Sequence, residues 1–271
     1  MDIRFFQNVR FERKIEKLVD ENDSLLCIGL DIIKDKLPNG VKPTEFNERI
    51  IDSTKDLVCC YKINLAFYRA MGRDGMDLLM ETMEHLQDIP AILDMKANDV
   101  HHSAEMYARE AFEVLGGDAV TLNPYLGRDC IEPFTKYEDK YIFILCRTSN
   151  PSAGELQDLK VGERKEPLYM FIARKIREWG TNCGAVAGAT YPKELDAIRK
   201  TLGEDRFILI PGVGTQGGDL EKAVRFGTNE HGRKAIISVS RSVIYASSGN
   251  DFDVCARKVA KEIRDQINRY R

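Results

Sequence analysis

A chain of 271 residues is long enough for one sizeable hydrophobic core, and α/β barrels commonly run to about 250 residues as a single domain. With 40 Lys+Arg against 43 Asp+Glu and a net charge of −3, the composition argues against a nucleic-acid binder, though a local anion pocket stays open. The seven cysteines are odd in number and mostly set in apolar runs, with no CxxC pair. This fits reduced, buried thiols in a cytoplasm better than disulfides or a zinc site, and no apolar stretch suggests a signal peptide or a membrane span.

The first predicted element is a helix over about residues 8–20. Eight short apolar runs follow: LLCIGLD (25–31), LVCCYKIN (57–64), PAILDMK (90–96), DAVTLN (118–123), YIFILC (141–146), CGAVAGA (183–189), RFILIP (206–211) and AIISVS (235–240). They are too short for helices and too continuously apolar for a half-exposed sheet, so they read as buried parallel strands. Helical spacing fills the gaps. TEFNERIIDSTKDL is expected to start with Thr44 as its N-cap; DGMDLLMETMEHL, HSAEMYAREAFEVL, EPLYMFIARKIREW and PKELDAIRKTL come next, with Pro192 in the first turn of the last. Trp179 is read as packing, and DFDVCARKVAKEIRDQINRY closes the chain. The rhythm predicts a (β/α)8 TIM barrel of eight parallel strands with an extra N-terminal helix, as one domain over 1–271; a doubly wound sheet has no need of eight such units. The segment CRTSNPSAGELQDLKVGERKEP (146–167) is the longest turn-like connection, expected as a lid or a solvated loop.

Active sites of such barrels gather where the strands end. The first run ends in Asp31, the second carries Lys62 and Asn64, and the third carries Asp94 and Lys96 with Asp99 just beyond. In an extended strand residues i and i+2 share a face, so Asp94 and Lys96 are expected to point together, within reach of Lys62. Alternating charges of this kind stabilise one another's ionised forms, whether used for chemistry or as a structural network. The fourth run offers little beyond Asn123 and the sixth little beyond Thr190. In PGVGTQGGD (211–219), Gly212, Gly214, Gly217 and Gly218 would let backbone approach an anion, and Asp219 would cap the next helix. SVSRS then supplies Arg241, a forked donor suited to phosphate, from the place where barrels usually grip one. His85, His101, His102 and His231 show no metal-binding spacing, so no metal is expected.

These residues resemble a known family. LDMKAND (93–99) matches the Asp-x-Lys-x-x-Asp signature of orotidine 5′-monophosphate decarboxylases, shared with sugar-phosphate decarboxylases of the same superfamily. GLD (29–31), YKINLAFY (61–68), TSNPSA (148–153), GATYPKEL (188–195), PGVGTQGGD and SRS (240–242) extend the likeness in order across the barrel. The resemblance implies conversion of orotidylate to UMP and CO2 without a cofactor, with Lys62, Asp94, Lys96 and Asp99 as catalytic tetrad. It further implies a homodimer in which Asp99 reaches into the neighbouring site. Asp31 would bind the ribose, Ser149 the pyrimidine, and Gln216 and Arg241 the phosphate, with Ser103, Pro211 and Ser240 also on the substrate-binding side. Ser103 stands where the family often has threonine, and Ser240 where it usually has glycine, so the extra side chain could crowd the phosphate or donate to it. A magnesium-dependent 3-keto-sugar-phosphate decarboxylase and a non-catalytic nucleotide-phosphate-binding barrel are the competing readings.

Overall fold

The computed structural model describes residues 9–213 and 219–271. Gly214, Gln216, Gly217 and Gly218, named above for anion binding, lie outside the described residues. Eight parallel strands close into a barrel: β1 Leu26–Gly29, β2 Cys60–Asn64, β3 Ala91–Asp94, β4 Ala119–Leu122, β5 Tyr141–Arg147, β6 Cys183–Ala187, β7 Ile208–Pro211 and β8 Ala235–Val239. Each strand pairs with the next in chain order, and β8 returns to β1. Nearly every strand residue is buried, because helices cover the outside and side chains fill the inside. Most predicted runs overshoot at their C-terminal ends. The polar residues there, Asp31 and Lys96 among them, sit past the last ladder pair, where the mouth begins.

The opposite end is sealed by the N-terminal helix, Phe11–Glu21. Phe11 stacks on Tyr141 at 5.3 Å between centroids and meets Phe143 and Phe207 edge-on at 5.9 and 6.1 Å. Burying one such ring is worth roughly 1.5–3 kcal/mol. Tyr141 stays satisfied there because its hydroxyl accepts from Phe207 N at 2.9 Å. Lys14 ties the same helix to Asp118 at 2.7 Å, and the other oxygen of Asp118 accepts from Ala91 N at 3.0 Å. This end is thereby fixed by packing and by pairs across strand starts.

Three local expectations need correction. The helix Pro43–Thr54 starts two residues earlier than an N-cap at Thr44 would give, with Pro43 in its first turn and Lys42 at the N-cap. Thr44 is therefore inside it, and its hydroxyl donates to Glu81 at 2.6 Å instead of capping. The predicted helix over 102–115 runs as α-helix only over His101–Arg109 and then widens into a π-turn, Glu110–Val114, before Gly117 packs against Leu93. The 146–167 connection is not a plain solvated loop: it carries a 3-10 turn at Pro151–Ala153, a helical turn at Gly154–Gln157 and a two-stranded ribbon, Lys160–Val161 with Glu166–Pro167. Pro192 does open its helix, Asp219 does cap Leu220–Gly227 by accepting from Lys222 N at 3.1 Å, and Trp179 packs against the core. All seven cysteines are free thiols, and only Cys255 is not fully buried. No helix among the described residues is long and apolar enough to cross a membrane.

Candidate active site

A cavity of about 500 Å³ opens at the C-terminal mouth of the barrel. One wall carries the charges. Lys62, from the middle of β2, reaches up to Asp94 at the tip of β3, with Nζ 3.0 Å from Oδ2, and stands 3.8 Å from Asp31 Oδ1. The Lys96 ammonium donates to Asp94 Oδ1, as does the Thr121 hydroxyl at 2.8 Å. Asp94 thus accepts from two cations and one neutral donor while only 7% exposed, and Lys62 is only 6% exposed.

Burial by itself would push Lys62 towards the neutral amine, but the carboxylates of Asp94 and Asp31 outweigh it and hold its pKa above the ordinary lysine value. Burial would likewise raise the pKa of Asp94, yet Lys62 and Lys96, with hydrogen bonds from Lys96 and Thr121, bring it well below the usual carboxylate range. The pair is therefore ionised at neutral pH. The buried Oδ1 of Asp31 receives no hydrogen bond from the described residues, which leaves an acceptor open for a hydroxyl arriving in the cavity.

The expected convergence of Asp94 and Lys96 is present, though by another route than strand alternation. β3 ends at Asp94, and Lys96 turns into the left-handed region at φ +48°. Its backbone N donates to Thr121 Oγ1 at 3.2 Å, which brings the ammonium back over Asp94.

Across the cavity, Ser149, Pro211, Ser240 and Arg241 line the opposite wall with Gly212, whose φ of +94° suits glycine in a tight turn. Leu145, Val186, Leu209, Val213 and Val239 add an apolar lining that suits a flat ring. The Ser240 side chain turns towards β1: its hydroxyl donates to Gly29 O at 2.9 Å, and a Cβ at Gly29 would lie 2.8 Å from that of Ser240. The Ser240 side chain is thus accommodated by the bare backbone of Gly29, and its proton is engaged away from the cavity.

Asp99 and Ser103 are not brought to this cavity within one chain. Both are exposed, and Asp99 Oδ1 accepts from Val100 N at 2.7 Å at the start of the following helix. Gln216 lies outside the described residues. Several lining residues escaped sequence reasoning. Thr121 is one, signalled only as the lone hydroxyl in the buried strand AVTL. Thr148 and Gln157 are others. Gln157 accepts from Thr148 N at 3.0 Å and donates to Thr148 Oγ1 at 2.8 Å, tying the 146–167 segment to the rim. The buried Arg147 backs them, its guanidinium 4.0 Å from the Tyr191 ring centroid and donating to Gln157 at 3.3 Å. Among the described residues no group of three or more His, Cys, Asp or Glu side chains is placed to hold a metal ion.

Comparison with known proteins agrees with this geometry. The chain is 45% identical over 270 residues to the orotidine 5′-phosphate decarboxylase of Thermomicrobium roseum, covering 96% of both chains. It superposes on Leishmania donovani UMP synthase with TM-score 0.87 at 34% identity, over 97% of this chain and 57% of that one. Against Leishmania donovani OMP decarboxylase the TM-score is 0.82 at 31% identity, covering 96% of this chain and 99% of that one. Residues 24–251 match the model of one family, so the chain belongs to the orotidine 5′-phosphate decarboxylase / HUMPS family.

Proposed function

We propose that this chain converts orotidine 5′-monophosphate to UMP and CO2, in pyrimidine biosynthesis, without a cofactor. The observation that carries the reading is the contiguous Lys62–Asp94–Lys96 array on the wall of a cavity that also presents Arg241 and the start of a glycine-rich turn. Breaking the C6–carboxylate bond leaves the electron pair on C6, where no carbonyl or imine can delocalise it. Stabilisation must then be electrostatic, and a fixed ammonium provides it. Lys96 gives a proton to C6 and is left as the amine; CO2 departs. Asp94 disfavours the bound carboxylate by like charge, and Lys62 holds Asp94 in place. A ribose hydroxyl would donate to the open oxygen of Asp31, and Ser149 would read the pyrimidine. Arg241, with Gln216, would grip the phosphate, whose binding energy closes the 147–164 segment over the site.

The active form is read as a homodimer, with Asp99 of the partner subunit completing the tetrad and Ser103 beside it. Two observations support this. Asp99 lies outside its own cavity, and on the segments that follow β3 and β4 the apolar side chains of Val100, Met106, Tyr125 and Leu126 are 56, 58, 85 and 44% exposed, surface that a second subunit would cover. The buried free thiols fit a reducing compartment, the cytoplasm.

The test is to follow the absorbance of orotidylate on mixing with the protein, without added metal and with EDTA present. Loss of absorbance to UMP under both conditions is the expected result. Turnover of a 3-keto sugar phosphate that needs Mg²⁺ would replace the proposal with a sugar-phosphate decarboxylase. Binding of UMP with no turnover of either substrate would leave a non-catalytic barrel.

A further inference from the structure

Thr121 belongs to no part of the mechanism above, yet its hydroxyl touches two of that mechanism's members. Leu93 of β3 pairs with Val120 of β4, so the next positions along, Asp94 and Thr121, stand side by side at the strand ends. Thr121 is 1% exposed. A threonine hydroxyl has one proton, and here it goes to Asp94 Oδ1 at 2.8 Å, while Thr121 Oγ1 itself accepts from Lys96 N at 3.2 Å. Lys96 holds φ +48°, a conformation uncommon for a residue with a long side chain, so something must keep it there.

We infer that Thr121 is a positioning residue for the decarboxylation step: it holds Asp94 Oδ1 in place and pins the backbone of Lys96 while the lysine ammonium exchanges Asp94 for the substrate carbon. This rests on the reading of function given above. In the resting site Asp94 Oδ1 has two donors, Lys96 and Thr121, and Oδ2 has Lys62. When Lys96 passes its proton to C6 it stops being a cation for Oδ1. Thr121 is then the donor left on that oxygen, and it keeps the carboxylate from rotating off the axis it shares with Lys62. A neutral donor suits this task, because its hydrogen bond does not depend on the charge of the lysine.

The experiment compares Thr121→Val, which keeps the shape and loses the hydroxyl, with Thr121→Ser, which restores it. Thr121→Val should lower kcat by about tenfold to a hundredfold, the range for losing a hydrogen bond to a charged group. KM for orotidylate and affinity for UMP should stay within about threefold, since no substrate contact is removed. Thr121→Ser should recover kcat to within about threefold of wild type. The inference is overturned by an unchanged kcat in folded Thr121→Val, by a raised KM at constant kcat, or by a Thr121→Ser no better than Thr121→Val. If Thr121→Val does not fold, Thr121→Ala is read by the same criteria. Failure of the wild-type chain to convert orotidylate would remove the functional reading instead. The crystal structure of the hydroxyl-free variant then decides the positioning claim: Lys96 leaving its positive φ supports it, and Lys96 unmoved refutes it.

Discussion

Replacing Lys62 with methionine removes one charge and keeps most of the side-chain volume. In the wild type, among the described residues, Lys62 is the one hydrogen-bond donor to Asp94 Oδ2 and the cation nearest the buried Oδ1 of Asp31, at 3.8 Å. The variant leaves the 7% exposed Asp94 with Lys96 and Thr121 on one oxygen only, and leaves Asp31 without its ion pair. Breaking a buried pair by removing one partner costs about 3–5 kcal/mol, so Lys62→Met should lose roughly that much unfolding free energy at pH 7. The sign of the pH dependence separates this cause from a packing defect. In the wild type, Asp94 lies below its ordinary pKa, so its contribution is present above the unfolded-state value and is lost as pH falls through the lower folded one. Lys62 lies above its ordinary value, so its contribution is complete below the unfolded-state pKa and is lost as pH rises through the folded one. Without Lys62, the burial that raises the pKa of Asp94 is opposed by Lys96 and Thr121 alone, so that pKa should rise from its wild-type position and protonation should relieve the defect. Urea unfolding of both proteins at pH 7 and near pH 4 should show the gap narrowing at the lower pH. A gap under about 1 kcal/mol at pH 7, or one that does not change with pH, would refute the electrostatic account of this site.

Lys96→Ala should lower turnover by about a thousandfold or more while UMP binding stays measurable by calorimetry; near-normal turnover would reject the lysine as proton donor. Equal mixing of Lys96→Ala with Asp99→Ala, each inactive alone, should restore about a quarter of wild-type activity, because half the dimers are hybrids and each hybrid carries one intact composite site. No recovery would place Asp99 outside the partner's site. Arg241→Ala should weaken UMP by roughly 1.5–3 kcal/mol and leave uridine nearly unchanged, and equal weakening of both ligands would remove the phosphate role. Gly188→Ala would put a Cβ 3.0 Å from that of Ser149 and 3.1 Å from its N, so KM for orotidylate should rise by about tenfold with binding of inorganic phosphate retained. An unchanged KM would mean that Ser149 is free to move or does not read the ring.

What the sequence made legible follows from the range of the interactions. The eight strands showed because a parallel strand inside a barrel is buried on both faces, and continuous runs such as YIFILC over Tyr141–Cys146 have no other economical reading. Asp31, Lys62 and Asp94 showed because charges at the ends of such runs are conspicuous. Thr44 misled because proline at position 43 sets the helix start more firmly than a threonine hydroxyl does. Thr121 did not show because its importance lies in a neighbour 27 residues away in sequence, reached only once β3 and β4 are in register. The role of Ser240 was hidden for the same reason: whether its hydroxyl faces a phosphate or Gly29 O depends on the closure of β8 onto β1, a contact spanning 211 residues.

The two ends of the barrel divide stability from chemistry, and the division explains how so costly a charge array is tolerated. At the N-terminal end most of the polar anchors are matched without any ligand, although the buried Glu12 Oε2 and Arg206 Nε have no hydrogen-bond partner among the described residues. Among the described residues Arg199 makes no ion pair, but its guanidinium donates to the carbonyls of Gly203, Arg206, Gly227 and Lys234, which gathers two helix ends and two strand starts. Burial pushes its pKa down to about 10, so it remains charged at neutral pH. At the C-terminal end the matching stops short: Asp31 keeps an oxygen without a donor among the described residues, and the Lys96 side chain is 44% exposed above Asp94. A fold held together at its floor can leave groups at its mouth unsatisfied, and unsatisfied groups are the ones able to gain interactions from a bound substrate. The charges on Lys62 and Asp94 are retained because Asp94 is the nearest counter-ion of Lys62 and itself lies between two ammonium groups. The freedom of Lys96 is retained because Thr121 holds its backbone and leaves its ammonium able to move.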